Sequence, residues 1–196
     1  PSNVFGTAIK DIVSGKADTY KVNQICLLKD RVYVVTDGGM LYSWGSNKSG
    51  QLGNNSTDAN YTPQFIMSDV DSVTSSVSGH ATGAVTKSGG LYTWGNDRYG
   101  MLGNSNNWIF PNSRAYPKEI MDGIQSAYFK GLSSSAISKD GSLYVWGYGY
   151  YGEVGNGSSG INVETTPQPN ILNDVLSVEY GDYNFCVLTK NGTLYT

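Results

Sequence analysis

Apolar and polar positions alternate in short runs along this chain, and Gly, Ser, Asn or Asp breaks the runs every few residues. Alternation of this kind predicts β-strands, because successive side chains on a strand point to opposite faces. In Leu91-Tyr92-Thr93-Trp94 it puts Leu91 and Thr93 on one face and Tyr92 and Trp94 on the other. Helical periodicity is confined to a weak stretch in residues 6–24. No apolar run exceeds four residues, as at 32–35 and 185–188. A membrane helix needs about 20 and the core of a secretion signal about 7 to 15, so neither is expected in this chain.

The strands recur. LYSWGSNKSGQLG from Leu41, LYTWGNDRYGMLG from Leu91 and LYVWGYGYYGEVG from Leu143 read almost alike, and a fourth copy opens at Leu194. The intervals are 50, 52 and 51 residues. Each copy is preceded by a second element (VVTDGGM, AVTKSGG, AISKDGS, VLTKNGT) and the full copies are followed by a third (FIMSDVDSV, EIMDGIQSA, NILNDVLSV). Asp140-Gly141 and Asn191-Gly192 stand between two apolar strands, where Gly supplies the positive φ of a hairpin turn. About four short strands per 51 residues, repeated, predict an all-β fold of β-propeller blades built as four-stranded antiparallel sheets. Three to four blades fit within the chain, an incomplete ring. Residues 1–24 are expected to form atypical strands of a partial N-terminal blade, and 25–196 the partial propeller.

The recurring Leu41, Trp44, Gly45 and Gly53, Leu91, Trp94, Gly95 and Gly103, and Leu143, Trp146, Gly147 and Gly155 are read as structural core. Identical spacing in every copy favours packing over ligand stacking for the tryptophans.

The second copy, with Gly79-His80, Ala84-Val85-Thr86, Gly89 and Leu91 to Gly103, resembles the regulator of chromosome condensation repeat family throughout. The first copy keeps Gly50-Gln51-Leu52-Gly53 but has Lys29-Asp30 where the Gly-His pair falls; the third has Gly131-Leu132 and the fourth Gly181-Asp182. The resemblance covers about residues 25–196 and implies a seven-bladed propeller type, of which this chain holds a part. It also implies the family's range of roles: nucleotide exchange on a small GTPase with nucleosome binding in the name-giving proteins, and protein binding on a propeller face in some bacterial members.

Composition narrows those roles. The 196 residues carry a net charge of −3 and only 15% charged residues, so no basic face for nucleic acid is visible. Charge runs from +2 over residues 1–50 to −4 over residues 151–196. Cys26 and Cys186 are far apart and occupy different repeat positions, which reads as two buried free thiols. His80 is the sole histidine; its place in the Gly-His pair assigns it a structural hydrogen bond, and no nucleophile stands at triad spacing. Asp37, Asp140 and Asn191 sit in turns without calcium-loop spacing. Asn47, Asn55, Asn60, Asn156 and Asn191 open N-x-Ser/Thr triplets, as expected in so Asn- and Ser-rich a chain. Phosphate-loop, dinucleotide, zinc-protease and nucleophile-elbow motifs are missing. No catalytic residue, cofactor or metal site is assigned.

The variable loops hold the candidate surface. Trp108, Phe110 and Tyr116 follow the second Gly-x-Leu-Gly motif at non-repeated positions. Tyr148, Tyr150 and Tyr151 replace Ser46, Lys48 and Ser49 of the first copy, and Tyr99 matches Tyr151. Loop aromatics are what protein-binding surfaces enrich. The leading expectation is a non-catalytic protein-binding segment of a larger bacterial surface or secreted protein, extracellular rather than cytoplasmic. The alternatives are an exchange or chromatin factor of the name-giving type and a carbohydrate-binding surface module. The motif stops at Thr196 where Trp-Gly is due, which points to a piece of a longer protein. Open blade faces and edges are expected to favour self-association.

Overall fold

A computed structural model describes residues 21–196 except 79, 106–112, 151, 153, 156–162, 170–171 and 182–184. The expected N-terminal strands over 1–24 and the weak helical stretch therefore lie almost wholly outside the described residues.

Fifteen strands form four antiparallel sheets among the described residues. The first blade is β1 (Val22–Leu27), β2 (Arg31–Thr36), β3 (Leu41–Gly45) and β4 (Asn60–Met67). The second is β5 (Val70–Ser75), β6 (Ala81–Thr86), β7 (Leu91–Gly95) and β8 (Arg114–Met121). The third is β9 (Ile124–Lys130), β10 (Ser133–Ser138), β11 (Leu143–Tyr148) and β12 (Val163–Pro169). The last has three strands, β13 (Val175–Tyr180), β14 (Phe185–Thr189) and β15 (Leu194–Tyr195). Each sheet runs in sequence order, so every connection is a neighbour-to-neighbour hairpin. The helical content of the described residues is one 3₁₀ turn, Arg98–Gly100. The chain is an all-β propeller segment.

The third repeated element divides between two blades. Phe65-Ile66-Met67 ends β4, whereas Val70 opens β5 after a two-residue turn. FIMSDVDSV is thus the handover from the last strand of one blade to the first of the next. First strands of successive blades touch, β1 against β5 and β5 against β9, which places them toward the hub. The last strands lie at the rim. Each rim strand carries a proline at one register position, Pro63, Pro117 and Pro167, three residues after the partner of the strand-ending Gly45, Gly95 and Gly147. Proline lacks the N–H a docking strand would need, so these rim edges are blunted against pairing.

The core lies between blades. Leu28, Tyr33, Val35 and Leu41 meet Val70, Val73, Ala84 and Trp94 at the first seam. Ala81, Val85, Leu91, Met101 and Leu102 meet Ile124, Ala127, Phe129, Ala136 and Trp146 at the second. Ile137, Leu143, Val145 and Val154 meet Val175, Val178 and Val187 at the third. Tyr92 and Trp94 face the first seam and Leu91 the second, as the alternation predicts.

The recurring loop latches one blade to the next. Trp94 and Trp146 are fully buried. The Trp94 indole donates to the carbonyl of Gln51 at 2.8 Å, and the Trp146 indole to that of Met101 at 2.8 Å. Gln51 and Met101 hold the same place in Gly-x-Leu-Gly of the preceding blade. A Cβ on Gly53, at φ +79°, would stand 2.8 Å from the Trp94 indole nitrogen, so this position must lack a side chain. Trp44 is buried with Val32 and Val34 on the other face of the first blade.

Candidate interaction surface

In the first three blades the third strand ends on one face, where the described part of the following loop begins, and the tight turns between second and third strands lie on the other. In the first two blades the loop is tied internally. Ser43 and Thr93 hydroxyls donate to the carbonyls of Leu52 and Leu102 at 2.7 and 2.8 Å. The Leu52 and Leu102 amides donate to Oδ1 of Asn47 and Asp97 at 2.9 and 3.1 Å. In the third blade those tying positions are Val145 and Gly149. Its backbone turns survive, with Gly152 N donating to Gly149 O and Gly155 N to Gly152 O.

Tyrosines replace the lost side-chain ties. Tyr148 packs on Tyr99 with ring centroids 4.9 Å apart, and Tyr150 stacks parallel to Tyr148 at 6.1 Å and 6°. The guanidinium of Arg98 lies over the Tyr99 ring at 5.0 Å. Tyr150 is 41% exposed, Tyr99 and Tyr148 are half-buried and Arg98 is exposed. The Arg98–Gly100 turn rests on β11 and β12, so this patch caps the seam between the second and third blades.

Three of the seven candidate surface residues, Tyr99, Tyr148 and Tyr150, therefore come together. Tyr116 stands apart on β8, 49% exposed, in a cleft with Asn55 and Arg114. Trp108, Phe110 and Tyr151 lie outside the described residues.

Two buried arginines stand where the other blades have no arginine. Arg31 is 2% exposed. It donates to Asp30 at 2.9 Å and to the Ser76 carbonyl at 2.6 Å, and its Nη1 stands 3.3 Å from Nδ1 of His80. It thereby bridges the first and second blades. A guanidinium only donates, so Nδ1 must be the bare nitrogen of a neutral imidazole. Burial and the Arg31 charge hold the His80 pKa below its usual value, against a weaker opposing pull from Asp30. The structural hydrogen bond expected of His80 is present. Arg31 holds the position of Ala81 and Ser133 in the later blades; that departure was the available signal. Arg114, at the start of β8, donates to the Thr93 carbonyl and hydroxyl at 3.0 and 2.8 Å. Its Nε is buried without a partner.

Cys26 and Cys186 are free and half-buried, more accessible than full burial predicted. Burial raises the Cys26 pKa, which leaves a poor nucleophile. No group of three His, Cys, Asp or Glu able to hold a metal occurs among the described residues. No helix among them is long and apolar enough to cross a membrane.

The hub-to-rim sheets, the seams and the looped face define a β-propeller segment. The chain belongs to the regulator of chromosome condensation (RCC1) repeat family, whose model matches residues 38–85, 88–130 and 140–188. Among solved structures it is similar to human WBSCR16, at 25% identity and a TM-score of 0.72 over 89% of this chain and 46% of that one. It is also similar to Prp20p of Saccharomyces cerevisiae, studied for binding to Gsp1p and histones, at 22% identity and a TM-score of 0.73 over 92% of this chain and 46% of that one. Yeast RCC1 (Prp20) bound to Kap60 gives 22% identity and a TM-score of 0.74 over 92% of this chain and 44% of that one. The chain spans under half the length of each.

Proposed function

We infer that this chain is the protein-binding part of a larger RCC1-type propeller and performs no catalysis of its own. The observation that carries this reading is the stacked Tyr99, Tyr148 and Tyr150 cluster with Arg98 at the second seam. Tyrosine and arginine are enriched among the residues that anchor protein interfaces, and tyrosine buries much area at modest entropic cost. The third loop lacks the two side-chain ties of the others and carries Tyr148 and Tyr150 where the first has Ser46 and Lys48. The similar yeast protein is described with protein partners, which supports the class of activity; at 22% identity it supplies no partner for this chain.

The test compares affinity capture by the wild-type chain and by a Tyr148→Ala/Tyr150→Ala variant of matched circular dichroism and melting. Bands retained by the wild type and lost by the variant are expected. An identical set of retained proteins would sink the proposed surface. A parallel glycan array addresses the carbohydrate alternative: binding that survives in the presence of competing protein but not of free sugar would replace this reading.

A further inference from the structure

The cleft over β8 is distinct from the tyrosine cluster and has a chemistry of its own. It has a volume of about 520 Å³ and is lined by Asn55, Asn104, Ser113, Arg114, Ala115, Tyr116 and Lys118. Asn55 comes from the first blade's loop, docked through its amide on the Ala115 carbonyl at 2.8 Å. Both charges in the lining are positive, in a chain whose net charge is −3. Asp97 acts on the Arg114 charge but is 1% exposed and does not line the cleft. Arg114 is 9% exposed, is anchored through Nη2 on Thr93, and leaves Nε buried without a partner. Held on Thr93 through Nη2, the guanidinium is pre-set in direction for a charge-assisted contact with a carboxylate.

We propose that this cleft receives an acidic segment of a protein partner, with one carboxylate at Arg114 and a second at Lys118. The two cations are four residues apart on β8, but the strand is irregular between them, their partners Gly95 and Thr93 being two residues apart, so their separation is below the roughly 13 Å of a regular strand. A flexible peptide with acidic residues four apart reaches both. Tyr116, between them, offers a ring face and a phenol to the intervening backbone. Pro117 removes an amide from this rim strand, so the peptide lies across side chains and does not extend the sheet. The inference rests on the protein-binding reading and names the chemistry of the partner.

The experiment follows amide shifts of the whole chain on titration with an Ac-Glu-Gly-Ser-Gly-Glu-NH₂ peptide and its Gln-for-Glu counterpart. The acidic peptide is expected to shift Tyr116 and Lys118 at low salt and the neutral one to leave them in place. Lys118→Gln, at an exposed site, should weaken binding about three- to fivefold, the scale of one exposed charge pair. Tyr148→Ala/Tyr150→Ala should leave this titration unchanged, which separates failure here from failure of the tyrosine surface. Equal shifts with both peptides, no shifts with either, or an intact affinity in Lys118→Gln would overturn the proposal. So would shifts on adding polysialic acid but none with the acidic peptide.

Discussion

The seam between the first and second blades and the seam between the second and third share a latch and differ in their filling. In both, a buried Trp indole donates to a loop carbonyl of the preceding blade at 2.8 Å. Beyond the latch, the first seam sets a polar network beside its apolar cluster. Gln24 pairs its amide with both backbone groups of Val73, at 3.1 and 2.8 Å. Tyr33 donates to the Gln51 carbonyl at 2.6 Å, and Arg31 reaches Ser76 and His80. At the second seam the hydroxyls of Thr74, Ser76 and Ser134 donate to the carbonyls of Ala127, Gly131 and Met101, and the filling is aromatic. Phe129 lies so close to Gly83 that a Cβ there would fall 2.0 Å from its ring, and it meets Trp146 edge-on at 6.0 Å. One repeat can therefore fix the blade while each seam is finished separately: the first is given a titratable group, the second is capped by the tyrosine cluster.

The largest effect should come from the shared latch. Trp94→Ala and Trp146→Ala should each cost about 3–5 kcal/mol in denaturant unfolding. A cost confined to one of them would break the equivalence of the seams. Next comes the filling. Phe129→Ala should cost a similar 3–5 kcal/mol at the second seam. Arg31→Met, which strips the Ser76 carbonyl of its donor, should cost about 1–3 kcal/mol at the first. Hydrogen exchange should place each loss at its own seam.

A smaller effect separates the seams by pH. The folded His80 pKa lies below its usual 6.5. Well above pH 6.5 the imidazole is neutral in both states and contributes nothing. As pH falls below about 6.5 the unfolded chain takes up a proton that the folded seam resists, so stability declines until pH passes the folded pKa. Unfolding midpoints from about pH 8 to about pH 5 should fall in the wild type and less steeply in His80→Gln. Equal slopes would remove His80 from the account. As the sole histidine, its ring signals also report the tautomer without ambiguity. The smallest stability effect should be that of Tyr150→Ala, within about 1 kcal/mol, because the ring is 41% exposed.

Much of this was legible in the sequence because the latch repeats. Trp, the two glycines and the Leu or Val between them recur in each full copy, since the first and second seams demand the same carbonyl, the same absent Cβ and the same buried side chain. Tyr99, Tyr148 and Tyr150 were legible as departures from that pattern. What eluded sequence reasoning is non-repeated and long-range. Phe129 fills the space left by Gly83, a match 46 positions apart that periodicity cannot reveal. Arg31 and His80 meet across 49 positions. Tyr116 resembled the other loop aromatics by composition, but its strand carries it to the β8 cleft.

The central claim is that the looped face, at the second seam, is where a partner binds. A photoreactive phenylalanine analogue at position 150, compared with the same analogue at Asp140 in the exposed turns of the opposite face, tests it directly. The account predicts a discrete crosslinked protein from position 150 and none from position 140. Equal crosslinking from both faces, or a discrete adduct from position 140 alone, would contradict it.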